Sequence, residues 1–339
     1  MTRRFAWLAA LLAALAAAGC GSTTVEREGP VTVRSDAVTS TVASQAGGEP
    51  AARGVRIWVV THGQASSPFW AIVRNGVEAG ARQTDVLVTY RAPDVYSLDK
   101  MVSLIDQAVA AKPDGLVVSV PEPALAPAIR RATRAGIPTV SINSGSDSYK
   151  KLGVLAHVGQ PEDRAGLKAG QRLAAAGVRR ALCVNLKIPN VGLDLRCAGL
   201  AKAMRAAGGR SQMVRIDDQA PAAPQTIDRA VAKAHADGVL TLNATSGLAA
   251  VKELAGRPGL TLATFDLGPD VLAAVRDGRL AFAVDQQAYL QGYLPVVFLA
   301  ERARYGVFPA QGDVIPTGPN FVTKDNAAQA IELSRRSIR

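Results

Sequence analysis

VRIWVV at residues 55–60, followed after a short loop by FWAIVRNGVEAG at 69–80, reads as one strand and one helix, and the same alternation then returns at intervals of about 30 residues. The first run is rich in β-branched and aromatic residues and too short for a globular helix. In the second, Phe69, Ile72, Val73, Val77 and Gly80 fall three and four apart, which puts them on one face of an α-helix. DVLVTY (85–90), the helix LDKMVSLIDQAVAA (98–111), GLVVSV (115–120), the helix ALAPAIRRATRA (124–135) and IPTVSIN (137–143) continue the pattern. Alternating short apolar strands and amphipathic helices build a parallel sheet covered on both faces. Glycine closes helices in RAGIP (134–138) and AAGV (175–178), where the left-handed C-terminal position carries no Cβ penalty.

A second series of the same units runs from about residue 160 to 285, with strands RALCVN (180–185), QMVRID (212–217), GVLTLN (238–243), LTLATFD (260–266) and LAFAVD (280–285). The chain therefore holds two doubly wound halves whose strand ends can meet in a shared crevice. The long helix YLQGYLPVVFLAERARYG (289–306) and the strand DVIP (313–316) have no sheet of their own and are expected to complete the first half, with the tail from Pro319 returning to the second. Crossings near 157–159, 285–288 and 316–320 would form a three-strand hinge. The expected division is an N-terminal lobe of 53–158 plus 287–317 and a C-terminal lobe of 159–286 plus 318–339.

Composition agrees with α/β layers. Of 339 residues, 48% are hydrophobic and only 5% aromatic, so small helix faces can pack on branched strands. A chain of this length exceeds one core of roughly 100–200 residues, which again favours two lobes. The net charge of +11 comes from basic residues scattered as RRATR, RRAL and SRRSIR, a solvated surface and not a nucleic-acid stripe.

Before the first strand lie two different segments. MTRRFAWLAALLAALAAAGC (1–20) joins Arg3 and Arg4 to fourteen apolar residues, Phe5–Ala18, too few to span a bilayer, and reads as a cleavable export signal. Its end, Ala-Ala-Gly-Cys, resembles the lipobox of bacterial lipoproteins, with Ala17 where that family prefers Leu. The resemblance implies lipidation of Cys20, an extracytoplasmic location and a lipid anchor to the bacterial cell membrane. Residues 21–52, rich in Ser, Thr, Gly and Ala without apolar periodicity, read as a disordered tether. Cys183 and Cys197 are left as an even pair in an oxidising compartment, either bridged or separately buried as thiols.

No catalytic pattern is present. His62, His157 and His235 lie on three separate segments, and there is no GxSxG, HExxH, P-loop or dinucleotide fingerprint, so we expect no enzyme, no catalytic residues, no metal and no cofactor. His62 reads as a hydrogen-bonded loop histidine in preference to a ligand contact.

SSPFWAIVRNGVEAGA (66–81), INSG (142–145), HVGQ (157–160), GLDLRCAGL (192–200), LTLNATSG (240–247), ATFDLGPD (263–270) and AVDQQAYLQGYLP (283–295) occur in this order. Together they resemble the monosaccharide-binding proteins of ABC importers, the periplasmic binding proteins of type I fold. The resemblance runs from Val55 to Val322. It implies an α/β fold of two parallel-sheet lobes that close on a small polyhydroxylated ligand, a monosaccharide or polyol, and deliver it to ABC permease subunits. A monomer is expected, and the scattered basic residues give no reason to expect nucleic-acid binding. A ligand-presenting sensory lipoprotein for a membrane receptor or sensor kinase is the alternative on the same fold.

Sugars offer hydroxyl edges that donate and accept and a C–H face that stacks on aromatic rings, so amides, carboxylates, arginine and aromatics suit such a site. Of Phe69 and Trp70, one is expected to face the ligand and the other the core, with Trp70 favoured for the ligand. Ser67 stands where the family often has Asn. Asn143 and Ser144 replace the Asp-Arg pair of ribose-type relatives, exchanging a charged bidentate clamp for a neutral amide and hydroxyl. Asp194, where relatives have Arg, and Arg196 are candidate contacts, Asp194 alternatively serving as a helix N-terminal acid. By the same resemblance Asn243, Asp266 and Gln286 are second-lobe contacts, Asp266 foremost, its alternative being a helix cap before Pro269. Gln287 either binds or fixes the crossing strand.

Overall fold

A computed structural model describes residues 54–63, 67–309, 312–335 and 338. The expected signal (1–20), tether (21–52) and lipidated Cys20 lie outside the described residues.

The first sheet takes β1 (Arg56–Val60), β2 (Leu87–Arg91), β3 (Gly115–Ser119), β4 (Thr139–Ile142), β5 (Ala156–Gly159) and, from the far end of the chain, β11 (Val314–Pro316). Its order is β11-β5-β4-β3-β1-β2, every neighbouring pair parallel. Helices α1 (Pro68–Thr84) and α9 (Ala288–Tyr305) cover one face, against Ile57, Val59, Val117 and Val140. On the other face α2 (Leu98–Ala111) and α3 (Ala126–Arg134) pack on Val60, Leu116 and Val118. Successive strand residues thus point into two separate cores, which is why the central strand β3 is buried at every position and apolar from Gly115 to Val118.

The second sheet takes β6 (Arg180–Leu186), β7 (Arg210–Ile216), β8 (Gly238–Thr241), β9 (Thr261–Phe265), β10 (Phe282–Asp285) and β12 (Asn320–Val322), in the order β12-β10-β9-β8-β6-β7. All its pairs are parallel except β10 with β12. Around it lie α4 (Glu162–Ala175), α5 (Val191–Ala206), α6 (Ala223–Ala234), α7 (Ala244–Leu254), α8 (Pro269–Arg276) and α10 (Ala327–Arg335). The chain passes from one sheet to the other after β5, after β10 and between β11 and β12. Among the described residues no helix is long and apolar enough to cross a membrane.

Both lobes use glycine to bring two helices together. On α1 and α9 an added Cβ at Gly76 would lie 2.0 Å from the Tyr289 carbonyl oxygen, and one at Gly292 would lie 1.9 Å from that of Val73. On α4 and α5 an added Cβ at Gly166 would meet the Arg196 carbonyl at 2.0 Å and one at Gly199 the Asp163 carbonyl at 2.1 Å. Backbone meets backbone at each crossing, which fixes where the N-termini of α1 and α5 point. Cys183 on β6 and Cys197 on α5 are joined by a disulfide, tying that helix to its sheet.

Trp70, Val73 and Val77 of α1 are buried in the sheet core, whereas Phe69 and Ile72 are only partly buried. Val73, Val77 and Gly80 lie on the inward face as their spacing predicts, and Trp70 stands at its N-terminal end in place of Phe69.

Candidate functional site

The C-terminal ends of the two sets of strands face each other across a cavity of about 400 Å³, within the usual range of small-molecule sites of roughly 300–1,000 Å³. Its walls are largely the first residues beyond each strand: His62 after β1, Asn143 and Ser144 after β4, Asp217 and Asp218 after β7, Leu242 and Asn243 after β8, Asp266 after β9 and Gln286 after β10. The start of α1 (Ser67–Trp70) and the start of α5 (Asn190–Leu193) complete it. Open α/β sheets bind ligands at this edge because the strand-to-helix loops there are free to carry polar groups.

Two residues in the same backbone state occupy equivalent places in the two lobes. Asn143 (φ 61°) and Asp266 (φ 66°) are both left-handed, a conformation that Asn and Asp tolerate better than other non-glycine residues. Gln286 lies between them. Its Oε1 accepts from Asn143 Nδ2 at 3.1 Å, and its Nε2 donates to Asp266 Oδ1 at 2.6 Å. Gln291 supports this bridge, with Nε2 donating to the Gln286 carbonyl (3.0 Å) and to Thr317 Oγ1 (3.2 Å). Asp266 is 8% exposed, and burial pushes its carboxyl up to about 6 while Arg196 and the Gln286 bond pull it down. It is not a helix cap, since Gly268 occupies that position on α8.

Arg196 is held as one half of a buried pair. Its Nε and Nη2 donate to Glu162 Oε2 (2.6 Å) and Oε1 (2.8 Å), its Nη1 donates to the Leu242 carbonyl (3.0 Å), and the guanidinium carbon stands 4.4 Å from the Phe265 ring centroid. Such a planar, two-pronged contact fixes both side chains.

On the first-lobe wall, His62 Nδ1 is 2.8 Å from Ser119 Oγ, and its ring meets Trp70 edge-on with centroids 4.9 Å apart. Burial pushes His62 down to about 3, so the imidazole is neutral at physiological pH. The histidine is both hydrogen-bonded and cavity-lining. Gly63 leaves room for the indole: an added Cβ there would lie 1.7 Å from Trp70 Nε1. Both aromatic rings border the cavity, Trp70 buried against the core and Phe69 the more open of the two.

The cavity wall also includes Ser67, Asn143, Arg196, Asn243, Asp266 and Gln286. Ser67 is the N-cap residue of α1, yet its hydroxyl makes no cap bond and remains available. Asn243 spends its oxygen on the Ser246 amide (2.9 Å) and its Nδ2 on Asp218 (2.7 Å). Asp194 and Gln287 are not on the wall. Asp194 accepts from Asn185 Nδ2 (2.8 Å) and Arg215 (2.5 Å), and Gln287 starts α9 with its N–H donating to Asp285 (2.7 Å). Two residues apart on a helix are about 200° apart, so Asp194 and Arg196 cannot both face the cavity.

Sequence reasoning missed Asn190 and Glu162. Asn190 caps α5 through the Gly192 amide (2.9 Å) and also reaches the other lobe: its Oδ1 accepts from Ser144 Oγ (3.3 Å) and its Nδ2 is 3.5 Å from His62 Nε2. Beside it the Val191 N–H donates to the Pro121 carbonyl at 2.9 Å. The signal for Asn190 was its place between Pro189 and the helix, a capping pattern. Among the described residues no group of three or more His, Cys, Asp or Glu side chains is arranged to hold a metal.

Two parallel-sheet lobes, three crossings and a polar cavity at the facing strand ends define a two-lobed ligand clamp. The chain belongs to the periplasmic binding protein domain family, whose pattern matches residues 57–306. It is similar to the solved structure of a carbohydrate transporter from Acidothermus cellulolyticus 11B in complex with myo-inositol, with 34% identity and a TM-score of 0.77, covering 84% of this chain and 100% of that one. The xylose/arabinose-binding protein XylF of Sulfolobus acidocaldarius is 25% identical over 293 residues, 80% of this chain and 71% of the relative. A solute-binding protein of an ABC transporter from Burkholderia graminis, solved in complex with D-arabinose, shares the fold with a TM-score of 0.72 at 22% identity, covering 80% of this chain and 96% of that one.

Proposed function

We propose that this chain is an extracytoplasmic, lipid-anchored solute-binding protein that captures a small polyhydroxylated ligand, a monosaccharide or cyclic polyol, and delivers it to the membrane subunits of an ABC importer. In this reading the lobes are 53–158 plus 287–317 and 159–286 plus 318–339, the anchor is Cys20, and the protein is a monomer without catalytic activity. The observation that carries it is Asp266, a carboxylate nine-tenths buried at a strand end, on the wall of the cavity, with one oxygen bound to Gln286 and the other taking no hydrogen bond among the described residues. A buried acceptor of this kind is completed by a ligand hydroxyl. Ser67, Phe69, Trp70, Asn143, Asn243 and Gln286 supply further polar and stacking contacts, and the relative solved with myo-inositol supports a cyclic polyol.

Ligand contacts drawn from both lobes favour the closed arrangement, which the importer then recognises. A thermal-shift screen with pentoses, hexoses and inositols tests the reading. A true ligand at about 100 times its Kd stabilises by about 2.7 kcal/mol. Small-angle scattering should show compaction with the same compound. No shift with any monosaccharide or inositol at millimolar concentration would overturn the proposal.

A further inference from the structure

The cavity's charge balance points to a narrower class of ligand. Among the described residues that line it, Arg196 is the one arginine or lysine, and its charge is already met by Glu162. The pair is almost wholly buried, with side chains 4% and 2% exposed, and Glu162 Oε2 also accepts from Gln160 Nε2 at 2.9 Å. A carboxylate or phosphate on a ligand would have to pull the guanidinium from Glu162 and leave that acid buried without its partner, which is strongly unfavourable.

The acids are not balanced in the same way. Among the described residues Asp266 enters no ion pair, and its one side-chain hydrogen bond comes from the neutral amide of Gln286. Asp217 and Asp218 stand on the same side of the cavity, the Asp218 carboxylate bound to the amide of Asn243 and, among the described residues, in no ion pair. His62, neutral and bonded to Ser119, adds no positive charge.

We propose that the site filters by charge: it takes uncharged and amine-bearing polyols and rejects uronates and phosphorylated cyclitols, with Glu162 holding Arg196 out of reach and Asp266 receiving the hydroxyl or ammonium. The inference rests on the polyol reading above. Two unit charges 4 Å apart at an effective dielectric of about 20 shift an equilibrium by roughly a thousandfold, so a discrimination of at least about a hundredfold is expected after solvent relaxation.

Titration calorimetry at pH 7.5 with myo-inositol, scyllo-inosamine, glucuronate and inositol monophosphate tests it, the readout being the ratio of each charged compound's Kd to that of myo-inositol. We expect inosamine to bind within tenfold of myo-inositol or tighter, and both anions to bind at least about a hundredfold more weakly. In E162Q the released guanidinium should improve the glucuronate ratio by tenfold or more. In D266N, which keeps the partner for Arg196, the inosamine ratio should worsen by tenfold or more, so the test stands if E162Q does not fold. Anions binding within tenfold of myo-inositol, or ratios unchanged in D266N, would overturn the filter while leaving the polyol reading intact. If none of the four compounds binds, the filter as stated fails, while the polyol reading is decided separately by the thermal-shift screen with pentoses and hexoses.

Discussion

Replacing Asn190 separates what its side chain does for its own helix from what it does between the lobes. Asn190→Ala removes the acceptor for the Gly192 amide, a cap whose loss costs about 1 kcal/mol whether the lobes are open or closed. It also removes the contacts to Ser144 Oγ at 3.3 Å and His62 Nε2 at 3.5 Å, which exist only while the lobes touch. Both are long, so together they are worth about 1 kcal/mol and not twice that. The closed population should therefore fall about fivefold relative to the open one, and a ligand that needs the closed state should bind up to about fivefold more weakly. Asn190→Ser supplies the contrast: serine caps a helix nearly as well but is too short to reach Ser144. Spin labels on the exposed positions Lys100 of α2 and Arg205 of α5, read by pulsed dipolar spectroscopy, should show longer distances in both variants without ligand. In urea unfolding Asn190→Ala should lose about 1 kcal/mol more than Asn190→Ser, the difference being the cap. Distance distributions matching the unsubstituted protein in both variants would refute the idea that this residue holds the lobes together.

Stability should also depend on pH through three buried groups. His62 and His157, both pushed by burial down to about 3, contribute stability that is present above pH 6.5 and lost as pH falls. Asp266, facing Arg196, Glu162 and Asp285 and pushed up to about 6, contributes stability present below about pH 3.8 and lost as pH rises through 6. Between roughly pH 4 and 6 the unfolded chain thus holds one net proton more on these groups, and stability should rise by about 1.4 kcal/mol per pH unit. Urea midpoints at pH 4.5 and 5.5 check this, and a higher midpoint at the lower pH would contradict it. Gly292→Ala should destabilise by about 1–3 kcal/mol despite alanine's helix propensity, because the added methyl meets the Val73 carbonyl. A loss under about 0.5 kcal/mol by chemical denaturation would show that α1 and α9 can separate freely.

The alternation of strands and helices was legible because the central strands, such as β3 and β8, are buried on both faces and the helices on one, so the pattern survives in apolar residues. HVGQ at 157–160 was recognised as a motif and a crossing, but β5 (Ala156–Gly159) was not named as a strand, since four residues with a buried histidine carry no periodic signal. Asp266, Asn143 and Gln286 were visible as polar residues directly after apolar strands. The bond of Arg196 to Glu162 was not, because the two lie 34 residues apart on crossing helices, and only the glycine-mediated approach of α4 to α5 brings them together. Which of Trp70 and Phe69 is the more buried was not legible, because both adjoin the inward face at the start of α1 and apolar spacing does not separate them.

Gln286 lies both on the wall of the cavity and at the second passage of the chain between sheets, where Thr317 Oγ1, at the third passage, donates to its carbonyl at 2.7 Å. A molecule resting against this amide leans on the pivot itself. Occupancy and opening angle then share a single side chain, so the clamp needs no relay to sense that it is full.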